Sequence, residues 1–332
     1  MNVLFSSCGR RVELLRFFRS ALEGMGGGSI IACDINPLAA ALNEADKALI
    51  VPSCKEKNFI PYIQEICMQE AIDMIIPLID TELPVYAKHK KSFKESGTEV
   101  VVSSADVIDI CASKVKTAAF FKEIGLPFLK TALLEDREDS ELSFPAIIKP
   151  DKGSAGIGVF TVESEDDIGF LKQRVEEPVI QELSQGQEIT IDCLVDRDGK
   201  LLRFVARERL EIRAGESSKG RTIKDKRLVA LLMSLFDALK AYGPITVQCF
   251  REDGDYRFSE INPRFGGGYP LAHIAGADFP SILLNMLNGK RPALGVDDYR
   301  ENVYMTRYDQ AFYLYPDEKT GELRADGHGG CA

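Results

Sequence analysis

The 332-residue chain has few histidines, no paired cysteine motif, no block of basic residues and no long apolar run. Each shortage removes a class of function. The three histidines stand far apart, so a histidine-based zinc site is not expected. The eight cysteines are scattered without a C-x-x-C pair, and most lie in apolar surroundings such as I-A-C-D and V-Q-C-F. That usage predicts small core residues and reduced thiols in a cytoplasmic protein rather than a disulfide scaffold. A net charge of −10 with no basic tail argues against general binding to nucleic acid or an anionic membrane, while leaving room for a small anion. No segment approaches the roughly 20 apolar residues of a membrane span, and the opening M-N-V-L-F-S-S predicts no secretory leader. G-x-G-x-x-G and the Walker loop are both missing, as are internal repeats.

The residues present predict an α/β protein. Short β-branched runs at residues 3–5, 30–33, 48–51, 74–78 and 100–102 alternate with helical patterns such as 11–22. This alternation predicts a parallel sheet with helices on both faces, whose ligands lie beyond the strands' carboxyl ends. The positions so singled out are residues 6–11, Asp34 and residues 80–82. S-S-C-G-R-R, from Ser6, sets backbone amides, Arg10 and Arg11 near a helix start, an arrangement that favours an anion or that merely solvates the helix. Residues 103–125 carry two helix starts and end in G-L-P. Beyond them we expect strands at 146–149 and 158–162, a helix over 166–175, and a strand, turn and strand over 178–191. Strand 201–207, a charged loop over 211–219, a helix over 225–242 and strands at 245–250 and 256–261 complete the pattern.

Three stretches concentrate chemistry. In A-I-I-K-P-D-K-G-S-A-G-I-G-V-F a strand delivers Lys149, and a turn containing Gly153, Gly156 and Gly158 joins it to a second strand. Glycines there let successive amides approach phosphates as a flap; the bland alternative is a hairpin with one solvated lysine. In V-I-Q-E-L-S-Q-G-Q-E, backbone groups at a strand end could meet an adenine edge, and Glu188 could accept ribose hydroxyls. In F-S-E-I-N-P-R-F-G-G-G, Glu260 and Asn262 share one face of a strand, and Gln248 lies on the preceding strand. Such oxygen donors suit Mg2+, and Arg264 suits a transferring phosphoryl group. A polar strand end capped by a turn is the alternative for this stretch taken alone.

Taken together, with S-K-V-K-T and G-L-P before them, these stretches resemble the ATP-grasp superfamily, most closely a single synthetase unit of the carbamoyl-phosphate synthase large chain. The resemblance spans nearly the whole chain. It implies a Rossmann-like N-terminal (pre-ATP-grasp) domain over residues 1–105, then an ATP-grasp fold of two α+β subdomains. The first comprises linker helices and a lid over 106–182, and the second a metal-binding region and tail over 183–332. It further implies that Lys114, Lys149 and the flap residues Gly153, Ser154, Gly156 and Gly158 contact nucleotide phosphates. Gln181, Glu182 and Leu183 would hold adenine, Glu188 the ribose, and Gln248, Glu260 and Asn262 would carry Mg2+ or Mn2+. Arg264, with Lys149, would be catalytic. The implied activity is that of a free-standing ATP-dependent carboxylate–amine ligase, which makes an acylphosphate and releases ADP and phosphate. A nucleotide-binding regulatory protein without turnover is the alternative. Expected partners are a small-molecule carboxylate and amine, with a homo-oligomer possible. The acceptor is expected beside Gly266, Gly267 and Gly268, with Arg207 and the R-A-G-E-S-S-K-G-R segment holding a carboxylate.

Overall fold

The computed structural model describes residues 1–140, 142–153, 156–213, 215–290, 295–316 and 323–325; for 139, 140 and 323–325 the backbone alone is described. Ser154 of the expected flap and Cys331 lie outside the described residues.

The five apolar runs at the start of the chain become β1 (Asn2–Ser6), β2 (Ser29–Asp34), β3 (Lys47–Ile50), β4 (Met74–Pro77) and β5 (Glu99–Val100). They form one parallel sheet in the order β3-β2-β1-β4-β5. The apolar runs are continuous because both faces are covered. Val3 and Phe5 pack on one side with Leu14, Leu15, Phe18 and Leu22 of helix Val12–Gly24. Leu4, between them, packs on the other with Phe59 and Ile63 of helix Phe59–Gln69 and with Leu83, Tyr86 and Phe93 of helix Leu83–Glu95. The chain builds outward from β1 to β3 and then returns to lay β4 against β1. The crevice at this reversal lies beyond Ser6 and Pro77, where such sheets bind ligands.

A second, four-stranded antiparallel sheet follows, in the order β6-β9-β7-β8, from β6 (Thr131–Leu133), β7 (Ala146–Pro150), β8 (Phe160–Val162) and β9 (Pro178–Glu182). Ala146 pairs with Val162, so the glycine-rich stretch does join two antiparallel strands. The helix expected over 166–175 shrinks to Ile168–Leu171 after the 3-10 turn Glu165–Asp167. Only Ile168, Leu171 and Val175 bury apolar surface there, too little for a longer amphipathic face.

The third sheet has the order β14-β13-β10-β11-β12-β15, with β10 (Gln187–Val195), β11 (Leu201–Arg213), β12 (Glu216–Ile223), β13 (Gly243–Glu252), β14 (Asp255–Asn262) and β15 (Tyr304–Thr306). The charged loop expected over 211–219 is instead the end of β11 and the start of β12. Charges of opposite sign face one another across this ribbon, and Lys219 Nζ lies 2.7 Å from Glu211 Oε2. Helix Lys226–Leu239 lays Leu228, Leu232, Leu235, Phe236 and Leu239 into the core; its start is capped by Asp225, which accepts from the Arg227 N–H.

One core joins the first and third sheets. Phe18 meets Phe265 edge-on at 6.1 Å, and Phe265 meets Tyr269 at 4.8 Å. The segment just after β14 is thereby held against the crevice of the parallel sheet. Among the described residues the cysteines form no disulfide, and no helix is long and apolar enough to cross a membrane.

Candidate functional site

Lys149 leaves β7 almost fully buried, and its ammonium lies 2.9 Å from Glu260 Oε1 on β14, 111 residues away. A cation from the second sheet thus meets a carboxylate from the third. Lys114, at the first turn of helix Lys114–Glu123, reaches the same corner, where its ammonium donates to the carbonyls of Asp151 (3.2 Å) and Gly153 (3.1 Å). Asp151 fixes that helix start by accepting from Ser113 Oγ and the Val115 N–H, both at 3.0 Å. Burial, and then Lys149, lower the Lys114 pKa, while Glu260 opposes the shift. Burial alone would raise the Glu260 pKa, but Lys149 and Lys114 overcome it, and the carboxyl sits below its ordinary value.

The register places Gln248 opposite Glu260 and Thr246 opposite Asn262. Asn262 Nδ2 donates to Gln248 Oε1 at 3.2 Å, and Gln248 Nε2 donates to Glu188 Oε1 at 2.8 Å. Glu188 also pairs with Arg209. Asn262, Gln248 and Glu188 are thus linked in one hydrogen-bonded row, and the strand register sets Glu260 beside Gln248. Among the described residues no group of three or more His, Cys, Asp and Glu is placed to hold a metal ion. A divalent ion here would rely on Glu260, amide oxygens and the phosphates of a bound nucleotide, a donor set that suits Mg2+.

Gly153, Gly156 and Gly158 all have positive φ, at 115°, 71° and 73°. A Cβ at Gly153 or Gly156 would meet nothing within 4 Å, so backbone conformation, rather than protein packing, demands glycine at those two positions. Gln181 is buried, with its amide donating to Thr131 Oγ1 at 2.7 Å, so its side chain serves the sheet. The Glu182 N–H donates to the Lys130 carbonyl at 2.9 Å and its carboxylate pairs with Arg257. Leu183 follows directly on β9.

Arg264 reaches away from this corner. Its guanidinium lies 2.7 Å from Asp80 Oδ2, just beyond β4, and so bridges the crevice of the parallel sheet. At the floor of that crevice Glu82 is fully buried and accepts from Ser6 Oγ (2.8 Å), Ser7 Oγ (3.0 Å) and the Leu78 N–H (3.1 Å). Tyr86 donates to Ser6 Oγ at 2.9 Å. Burial pushes the Glu82 pKa up to about 7 despite these donors. A folded-state pKa above the ordinary 4.5 means that the stabilising contribution is complete below pH 4.5 and is lost as pH rises toward 7. The rise corresponds to about 3 kcal/mol. A Glu82→Gln variant is expected to flatten the decline in unfolding midpoint between pH 5 and 8; an unchanged slope in denaturation curves across that range would refute it.

Three expectations need correction. The amides of the Ser6–Arg11 turn are not a free anion cradle, because Cys8, Gly9 and Arg11 already donate to Cys33 O, Asp34 Oδ2 and Cys8 O. Arg207 does not hold an acceptor carboxylate either. It is buried, with Nε 2.8 Å from Asp192 Oδ2 and Nη1 donating to Ser217 Oγ at 3.1 Å. The glycines after Arg264 make room for protein rather than ligand. A Cβ would lie 2.7 Å from Thr246 Oγ1 at Gly266, 2.6 Å from Glu216 Oε1 at Gly267 and 2.4 Å from Arg207 Cζ at Gly268. Asp192 and Arg307 carry no local pattern that marks them in the sequence, and Glu216 falls inside the R-A-G-E-S-S-K-G-R segment without being distinguished there.

Comparison with known proteins agrees with this architecture. Residues 3–101 match the family model of the PylC-like N-terminal domain, and residues 174–310 match that of ATP-grasp in the biosynthetic pathway with Ter operon. The carbamoyl-phosphate synthase of Methanobrevibacter smithii is 28% identical over 171 residues, covering 49% of this chain and 45% of the relative. The N-terminal section of the carbamoyl phosphate synthase large chain of Methanopyrus kandleri is 24% identical over 287 residues, covering 75% of this chain and 50% of the relative. The chain therefore spans about half the length of these curated relatives. Among solved structures, the biotin carboxylase domain of Hydrogenobacter thermophilus 2-oxoglutarate carboxylase, bound to MgADP, ADP and bicarbonate, superposes with a TM-score of 0.75 at 16% identity. That match covers 91% of this chain and 73% of the other, a likeness of fold.

Proposed function

We propose that this ATP-grasp protein uses MgATP to join a carboxylate to an amine. The observation that carries the reading is the meeting of Lys149 with Glu260, with Lys114 beside them donating to the Gly153 carbonyl at the start of the glycine-rich loop. A carboxylate oxygen of the acceptor attacks the γ-phosphorus, the bond to the bridging oxygen breaks, and ADP leaves. The amine nitrogen then attacks the acyl carbon, phosphate leaves with the C–O electron pair, and the amine loses a proton to solvent. Phosphate is a far better leaving group than the oxide of a free carboxylate, so ATP supplies the driving force.

The protein's work is to hold the reactants and neutralise charge. Lys149 and Lys114 face the phosphates, the 153–158 flap excludes water from the acylphosphate, and the backbone at Glu182 and Leu183 holds the base, with Glu188 at the ribose. Gln248, Glu260 and Asn262 would hold a divalent ion, which supplies further neutralisation of phosphate charge. Arg264, tethered to Asp80, stands where the acceptor crevice opens toward the transferring group. We take residues 1–105, 106–182 and 183–332 as the structural units, supported by each containing one of the three larger sheets.

Incubation with MgATP and a panel of carboxylates and amines tests the reading. An acceptor pair should raise ADP release above background, and EDTA should abolish it. If MgATP binds but no pair raises ADP release, the regulatory alternative replaces the ligase.

A further inference from the structure

Four guanidinium groups gather where the parallel sheet's crevice meets the loop after β14. Arg11 Nη1 lies 3.3 Å from Glu216 Oε1, and Arg307 Nη1 and Arg10 Nη2 lie 2.9 Å and 3.9 Å from Glu216 Oε2. Arg264 stands next to them on Asp80. Two carboxylates thus face four cations, in a chain whose net charge is −10. Burial is the main cause of a lowered Arg11 pKa; Glu216 opposes the shift, and Arg264, Arg307 and Arg10 add to it. The cluster touches the signature loop directly. Arg307 donates to the Gly267 carbonyl, and a Cβ on Gly267 would lie 2.8 Å from Arg11 Nη1. One side is open to solvent, for the Arg10 side chain is 73% exposed and its contact with Glu216 exceeds hydrogen-bond length.

We infer that this cluster is a subsite for a second anionic group on the acceptor: the substrate carries two anionic groups, a reacting carboxylate that lies by Arg264 and, at its other end, a carboxylate or a phosphate gripped by Arg10, Arg11 and Arg307. The inference rests on the ligase reading for the identity of the reacting end. Guanidinium forks match both carboxylate and phosphate, and a local excess of positive charge in an acidic protein attracts a ligand of the opposite sign. A merely structural clamp between β12 and the N-terminal sheet would need one arginine on Glu216, and three are present.

Calorimetric titration of the full chain with butyrate, succinate and 3-phosphoglycerate tests the subsite. Succinate, a dianion, or 3-phosphoglycerate, which carries a further charge on its phosphate, is expected to bind about 10-fold or more tightly than butyrate, as charge-assisted hydrogen bonds would give. Preference between succinate and 3-phosphoglycerate tells carboxylate from phosphate. Arg10→Ala should erase the advantage over butyrate, and Arg10→Lys should restore part of it. Unfolding midpoints report that each variant is folded. Equal affinity for all three probes, or a preference that survives Arg10→Ala, overturns the subsite. MgATP binding is measured separately: a chain that binds MgATP without preferring either probe to butyrate loses the subsite alone. One that shows the preference but binds no MgATP loses the ligase reading alone.

Discussion

A Lys149→Met variant is expected to release ADP about 10²–10³-fold more slowly than the unaltered chain, the usual consequence of removing one preorganised charge from a phosphoryl-transfer site. Lys149 is suited to this effect because it is nearly buried and fixed on a strand, so its ammonium costs little to position when a phosphate arrives. Without a nucleotide that charge is neutralised by Glu260 at 2.9 Å. With one, Glu260 would be among the residues holding a divalent ion, and the Lys149 ammonium would be left to pair with the phosphates. Methionine keeps the length and apolar stem of the side chain, so the change removes charge more than packing. Single-turnover ADP release at saturating MgATP reads the effect, and circular dichroism checks the fold. Turnover within about threefold of the original would remove Lys149 from the reaction and, with it, the main support for the phosphate site.

Much of this arrangement is legible in the amino-acid sequence. The parallel sheet announced itself because strands covered on both faces are continuously apolar, as in Val3–Phe5 and Ile30–Cys33. Lys149 and Glu260 stood out because each sits at a strand end beside glycines, a local pattern. That they touch is a fact about two sheets 111 residues apart, which no local pattern contains. The ribbon over 211–219 resembles a loop in sequence because its strand-forming interactions are cross-strand charge pairs, visible only once Glu211 faces Lys219. The glycines at 266–268 were misread for a related reason. Absence of a side chain signals close approach, but not whether a ligand or Arg207 does the approaching. L-R-F-V-A-R shows the limit plainly, since Arg203 and Arg207 share one face of β11 and both are buried. Their partners lie far off in sequence or on another strand: Arg203 donates to the Gly276 carbonyl, and Arg207 pairs with Asp192.

That last pair carries the largest expected effect on stability. Asp192 and Arg207 are 2% and 3% exposed, and removing either leaves the other's charge buried without compensation. Asp192→Ala or Arg207→Met should each lower the unfolding free energy by about 3–5 kcal/mol. The double variant should lose markedly less than the sum, because neither charge is then stranded and apolar side chains of similar volume tolerate the site. Urea denaturation of the four proteins reads the cycle; additive losses, or single losses below about 1 kcal/mol, would refute it. The same variants separate a structural arginine from a substrate-binding one. Were Arg207 an acceptor ligand, Arg207→Met would raise the acceptor KM and leave stability nearly unchanged. Because its guanidinium instead fills the space where a Cβ of residue 268 would stand, stability should fall first. The loop bearing Arg264 should then loosen as a consequence, and any loss of turnover should track the fraction unfolded.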